Sequence, residues 1–259
     1  MAHVDTRGEG HVLAIRINRP EKYNALSVAM YHDLGRALAH LDADPGLRVA
    51  VLYAEGRNFT AGIELDEWAP IFRAGKSFPT AEGEIDPMGL TGPQHTKPVV
   101  IAVQGYCFTW GVEILLNTEI RVASRDTQFQ MLEVQRGLYP CGGATLRLPR
   151  EIGWGNAQRV LLTGERWSAE QALKWGMVQE LVEPGEQVAR AMEIARAVAD
   201  AAPLGVRGCL QATRYALAHD RDASVAQMMR DLVPVMNSED SAEGVRSFLE
   251  RRKAVFTGR

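Results

Sequence analysis

Two carboxylates of this chain stand where an apolar residue would be the default. Glu113 lies inside the run YCFTWGVEILL at positions 106–116, after an apolar β-branched stretch and in the first turn of the helix expected to follow it. Apolar surroundings raise a carboxyl's pKa, and the positive end of a helix lowers it. A balance of the two leaves a group able to trade protons near neutrality. Glu133 sits between Leu132 and Val134, after the strand-like residues 127–130. Taken singly, each also reads as a solvent-facing glutamate at a helix start, and the residues themselves leave both readings open.

Two glycine turns accompany the glutamates. The run FTAGIEL at 59–65 follows a strand expected over 48–54, and Trp110-Gly111 follows one expected over 99–103. Glycines at strand ends let the backbone turn so that amide N–H groups point into a cleft. Two such groups make an oxyanion hole, although each turn alone is equally a plain strand-to-helix connection. Other chemistries lack their motifs. The six histidines are dispersed with no HExxH, there is no GxSxG elbow and no GxGxxG after a strand, and Gly75-Lys76-Ser77 lacks the upstream glycine of a phosphate loop. Cys107, Cys141 and Cys209 are widely spaced with no CxxC, which argues against a disulfide framework and a thiolate metal site. No metal and no separate cofactor is expected.

The elements that must position these groups alternate. Leu13, Ile15 and Ile17 give the period-2 pattern of a half-buried strand ended by Asn18-Arg19-Pro20. Ser27 caps a helix with Met30, Leu34, Leu38 and Leu41 on one face, stopped at Asp44-Pro45-Gly46. Strands at 48–54, 99–103 and 120–123 interleave with helices, so the class is α/β. Residues 67–97 shift to Gly, Pro, Thr and charge and read as a long functional loop, a lid. From Pro184 the chain is helical. Val188, Ala191, Ile194, Ala195 and Val198 form a first stripe, and further helices are expected over 204–218, 225–236 and 241–256. No repeat of fixed period is visible.

A chain of 259 residues, 46% hydrophobic, can bury a large core. The division expected is a core over 1–195 and a helical C-terminal region over 196–259. The formal net charge is −3 and the 29 basic residues are scattered, which removes the footprint of nucleic-acid or anionic-membrane binding. The densest basic spot, Arg251, Arg252 and Lys253, is either the solvated end of a helix or a ligand contact. The first ten residues resemble neither a signal nor a transit peptide, and no run approaches the ~20 apolar residues of a membrane span, so a cytoplasmic location is expected.

The order and spacing of these features, over almost the whole chain, resemble the crotonase or enoyl-coenzyme A hydratase/isomerase superfamily. The matching runs are NRPEKYNAL at 18–26, AGIEL, GYCFTWGVEILL, QFQMLEVQRGLYP, LTGE, WGMV and FLERRKAVF. The resemblance implies a spiral of ββα units with a helical C-terminal region that builds trimers or hexamers. It implies an acyl-coenzyme A thioester as substrate, its oxygen held by the backbone N–H groups of Ile63 and Trp110. Hydratases of the family use two glutamates, at the positions of Glu113 and Glu133, as acid and base to add water to a 2-enoyl thioester. Isomerases or dehydratases on the same scaffold are the nearest alternative, and a non-catalytic coenzyme A-binding assembly protein is one of another class. By the same resemblance Lys22, Tyr23 and Ala25 line the nucleotide end of coenzyme A. Ala61, Glu64, Leu65 and Asp66 line the pantetheine and thioester, Gly111 and Cys141 border the acyl and water sites, and Phe248 and Arg251 reach in from a neighbouring subunit. Thr109 and Trp110 stand where glycines are usual, Glu64 for Asp, Leu132 for Pro, and Cys141 for a water-binding Gly.

Overall fold

The computed structural model describes residues 3–75 and 78–259. A hairpin opens the chain: β1 (Val4–Glu9) pairs antiparallel with β2 (Val12–Ile17) through a turn at Gly10, whose φ of +61° suits glycine. Ser27 then accepts a hydrogen bond from the Met30 N–H and starts α1 (Val28–Ala43), as its sequence position predicts. β3 (Val49–Ala54) lies parallel to β2 and leads through the AGI turn to α2 (Leu65–Arg73). After a long irregular passage come β4 (Val99–Val103), the short β5 (Tyr106–Phe108) and α3 (Trp110–Leu115). The next turn of chain repeats this plan with β6 (Ile120–Ser124), the short β7 (Gln128–Gln130), a 3-10 turn at Glu133–Arg136 and α4 (Ala144–Glu151).

Two sheets result. The larger has the order β1-β2-β3-β4-β6-β9, with β9 at Glu180–Val182, and is parallel from β2 onward. The smaller has the order β5-β7-β8, with β8 at Arg166–Ser168, reached through α5 (Trp154–Thr163) and followed by α6 (Ala169–Trp175). Parallel strands need cover on both faces, and the larger sheet has it. Met30, Leu34, Leu38 and Leu41 of α1 pack with Leu13, Ile15, Leu52 and Ile101 on one side. Ala191, Met192, Ala195 and Ala199 of α7 (Gln187–Asp200) pack with Val12, Val49, Val51, Val100 and Val122 on the other. β2, expected to be half-buried, is therefore covered on both sides.

The expected boundary after residue 195 falls inside α7. Because the buried face of that helix covers the large sheet, α7 belongs with the core, and the helical region proper is α8 (Pro203–Ala218), α9 (Arg221–Met236) and α10 (Glu239–Glu250). The last helix stops at Glu250 rather than near Phe256. Arg251 takes the left-handed conformation, φ 55°, and the tail turns back so that Arg48 donates to the Phe256 carbonyl at 2.7 Å.

The stretch 67–97, read as an irregular loop, is structured differently. It begins inside α2, with Trp68 fully buried and its indole N–H on the Leu26 carbonyl at 2.9 Å. Beyond the helix, the buried Asp86 gathers the N–H groups of Met88, Leu90 and Thr91 and the hydroxyl of Tyr31, which fastens the segment to α1. Residues 76 and 77 of this stretch lie outside the described residues.

Candidate active site

The chain runs three times along a strand of the large sheet, turns, adds a short segment to the small sheet and enters a helix or 3-10 turn. Thr60 is the short segment of the first unit, bridged in parallel to Cys107 of β5, and β5 is in turn paired to β7. The groups singled out from the sequence all leave the small sheet at this end: Ile63 after Thr60, Trp110 after β5 and Glu133 after β7.

The first two turns touch. The Phe108 N–H donates to the Thr60 carbonyl at 3.1 Å and the Thr60 N–H to the Tyr106 carbonyl at 2.9 Å. Gly62, at φ +117°, faces Thr109, and a Cβ there would overlap the threonine hydroxyl. The next residue after each is an expected oxyanion donor. The N–H groups on either side of Ile63 are engaged, Gly62 to the Thr60 hydroxyl and Glu64 to the Leu26 carbonyl, whereas that of Ile63 itself meets no acceptor among the described residues. The Trp110 N–H opens α3 and is likewise free, as first-turn amides are. Thr109 holds this geometry at φ 48° and ψ −110°, a region β-branched residues avoid. Its own N–H is anchored on the Gln130 carbonyl at 2.8 Å.

Ala61, Ile63, Leu65, Trp110, Glu133 and Cys141 line one cavity of about 660 Å³. Arg136, Leu138, Tyr139 and Phe72, for which the sequence offers no chemical motif, line it too, together with Thr109, Leu132 and Gly137. The 3-10 geometry supplies the missed signal: residues three apart eclipse one another, so Arg136 shares the face of Glu133.

Glu113 sits behind the lining and is wholly buried. Its Oε1 accepts the Ala144 N–H at 3.0 Å, while its Oε2 has no partner among the described residues. A Cβ on Gly142 would lie 2.5 Å from Oε2, so only glycine fits between this carboxyl and Cys141 on the cavity side. Of the two opposed influences foreseen for Glu113, burial wins. It pushes the carboxyl up to about 8 against the Ala144 N–H, with the like charge of Glu133 adding to the rise. Burial raises Glu133 to about 7, its own backbone N–H opposing, and its Oε2 is also buried without a partner. The Cys141 thiol rises to about 11 through burial and then the two glutamates, so it stays protonated at neutral pH. Two carboxyls poised near neutrality with an unpartnered oxygen each, beside two free N–H groups, can move protons at a carbon next to a polarised carbonyl.

Trp110 borders the cavity with one edge and is 2% exposed. Its ring packs on Trp68 at 4.5 Å and on Phe78 and Tyr31 at 5.4 and 5.5 Å between centroids. This aromatic cluster closes the side of the cavity under α2.

The other expected binding residues lie around the rim. Lys22 ends the 3-10 turn at Pro20–Lys22 and Tyr23 and Ala25 follow it, fastened to the first turn by the Ala61 N–H on the Tyr23 carbonyl at 3.0 Å. Glu64 is engaged by Arg19 at 2.8 Å, and Asp66 is exposed in the first turn of α2. Gly111 is buried under Trp110, where a Cβ would come within 2.6 Å of Thr60 Cγ2. Phe248 and Arg251 lie at the end of α10 and do not line the cavity within one chain. Of the basic spot, Arg252 pairs with Glu243 and Glu250 and Lys253 with Asp200, leaving Arg251 without an ion pair among the described residues.

Comparison with known proteins places this geometry. The sequence profile of the enoyl-CoA hydratase/isomerase family matches residues 7–259. The mevalonyl-coenzyme A hydratase sidH of Aspergillus fumigatus is 36% identical over 248 residues, covering 94% of this chain and 90% of that protein. The enoyl-CoA hydratase EchA19 of Mycobacterium tuberculosis is 34% identical over 253 residues, covering 96% and 94%. Among solved structures, a probable enoyl-CoA hydratase/isomerase from Mycobacterium abscessus superposes with a TM-score of 0.97 at 42% identity, covering 100% of this chain and 99% of that one. The spiral of ββα units, the converging turns and these likenesses agree: the chain has the crotonase fold and belongs to the enoyl-CoA hydratase/isomerase family.

Proposed function

We propose that the protein is a hydro-lyase that adds water across the double bond of a 2-enoyl-coenzyme A thioester, with the reverse dehydration on the same groups. The observation that carries this reading is the pair of unpartnered, buried carboxylate oxygens on Glu113 and Glu133, both raised toward neutrality, beside the free N–H groups of Ile63 and Trp110. The thioester oxygen accepts from the two N–H groups, which stabilise the enolate as negative charge develops there. Glu133, on the cavity wall, takes the proton from water as oxygen attacks the β-carbon. Glu113, mostly protonated at pH 7, supplies the proton for the α-carbon. Coenzyme A enters with the substrate and no further cofactor takes part.

The exposed apolar side chains of α9, with Met229 at 53%, Val233 at 58% and Met236 at 61% exposed, support a trimer or a pair of trimers as the working form. No helix among the described residues is long and apolar enough to cross a membrane, which is compatible with a cytoplasmic enzyme. The test of the reaction is disappearance of enoyl absorbance from crotonyl-CoA on adding the protein. A dead reaction together with retained acyl-CoA binding would favour a binding protein instead.

A further inference from the structure

Among the described residues that line the cavity, Arg136 is a charged group to which the reaction gives no task. Arg136 stands one 3-10 turn after Glu133, about 6 Å along the turn and on the same face. It makes no salt bridge and no side-chain hydrogen bond among the described residues. It also does not hold Glu133 down, since that carboxyl is raised by burial with only its own backbone opposing. The guanidinium is therefore available to something that enters the cavity.

On the α2 side the cavity is bounded by Leu65 and Phe72, with Trp110 packed behind them on Trp68 and Phe78; facing the Ile63 and Trp110 turns is a second wall on the chain around Glu133. That wall is Leu132 and, at the open mouth, the exposed side chains of Leu138, Tyr139 and Arg136, the last a cation. A planar guanidinium with free N–H donors beside apolar groups matches a carboxylate better than a methyl end. We infer that Arg136 selects acyl groups carrying a carboxylate beyond the β-carbon, so the substrates are coenzyme A monothioesters of short unsaturated dicarboxylic acids. This rests on the hydration reading for the double bond, but not for the carboxylate.

The test compares glutaconyl-CoA with its methyl ester in turnover, and glutaryl-CoA with its methyl ester in binding. The acid should exceed the ester by at least about tenfold in kcat/KM and in affinity, as expected when a charge-assisted hydrogen bond is lost. Arg136→Gln should bring the acid-to-ester ratio to near one, and Arg136→Lys should restore part of it. A ratio near one in the unaltered protein, or a ratio that survives Arg136→Gln, overturns the inference. The second result includes equal losses on acid and ester, which would mean that Arg136 holds a phosphate of coenzyme A. The binding arm needs no reaction: an acid preference without turnover sustains the inference and sinks the hydratase, and turnover without preference does the reverse.

Discussion

Gly62 and Thr109 meet face to face, each at positive φ, and the residue after each offers a free amide to the same cavity. The contact couples two turns that lie far apart in sequence and sets the spacing of the two N–H groups. A Cβ at 62 would collide with the threonine hydroxyl and would also be strained at φ +117°. Gly62→Ala should therefore lower kcat by ~10²-fold or more while binding of free coenzyme A changes little. Steady-state kinetics and calorimetry check this.

The strain at Thr109 has a separate signature. A β-branched residue at φ 48°, ψ −110° costs roughly 1–3 kcal/mol, and glycine relieves it at ~0.5–1 kcal/mol of unfolded-state entropy. Thr109→Gly should be at least as stable as the parent in thermal melts.

Removing the Trp110 ring should destabilise and retune together. Its indole fills the space between Trp68, Phe78 and the cavity, so Trp110→Ala should cost ~3–5 kcal/mol and shift preference toward bulkier acyl groups. Melting curves and a panel of straight and branched enoyl thioesters would show both effects. Unchanged relative rates in a folded variant would mean that the ring does not limit the pocket.

The glutamates also leave a mark on stability. Both folded-state values, about 8 and about 7, lie above the ~4.3 of an exposed glutamate, so the folded state keeps protons that the unfolded chain has lost. Stability must then fall as pH rises from about 4.5 through about 8, and level off beyond. Glu113→Gln removes the largest share of that slope. Chemical denaturation between pH 5 and 9 should show a flatter profile for the variant.

Much of this was legible beforehand, and the limits have physical causes. Strong local signals, such as Ser27 before the Met30 stripe or the β-branched run of β4, fixed their elements because side-chain period and capping act over a few residues. α2 was missed because Pro70 and a charged first turn mask an apolar face that Trp68 supplies almost alone. The ββα spiral follows from the family resemblance and not from any repeat of fixed period, because its units differ in length and the short strand of the first is a single bridging residue, Thr60. Glu113 is wholly buried against Gly142, 29 residues further along the chain, and no local pattern reports such a contact. Arg136 was passed over because a surface arginine looks the same until the 3-10 turn places it over the cavity.

In the proposed reaction Glu133 acts as base and Glu113 as acid on an enolate held by the N–H groups of Ile63 and Trp110. The most direct measurement is the pH dependence of kcat/KM for enoyl thioester hydration in the parent, Glu133→Gln and Glu113→Gln proteins. A bell is expected, its acid limb near 7 from Glu133 and its alkaline limb near 8 from Glu113. Each variant should fall by at least ~10²-fold and lose its own limb while keeping affinity for coenzyme A. A variant that retains nearly full activity, or a profile flat from pH 6 to 9 in the parent, would contradict the assignment.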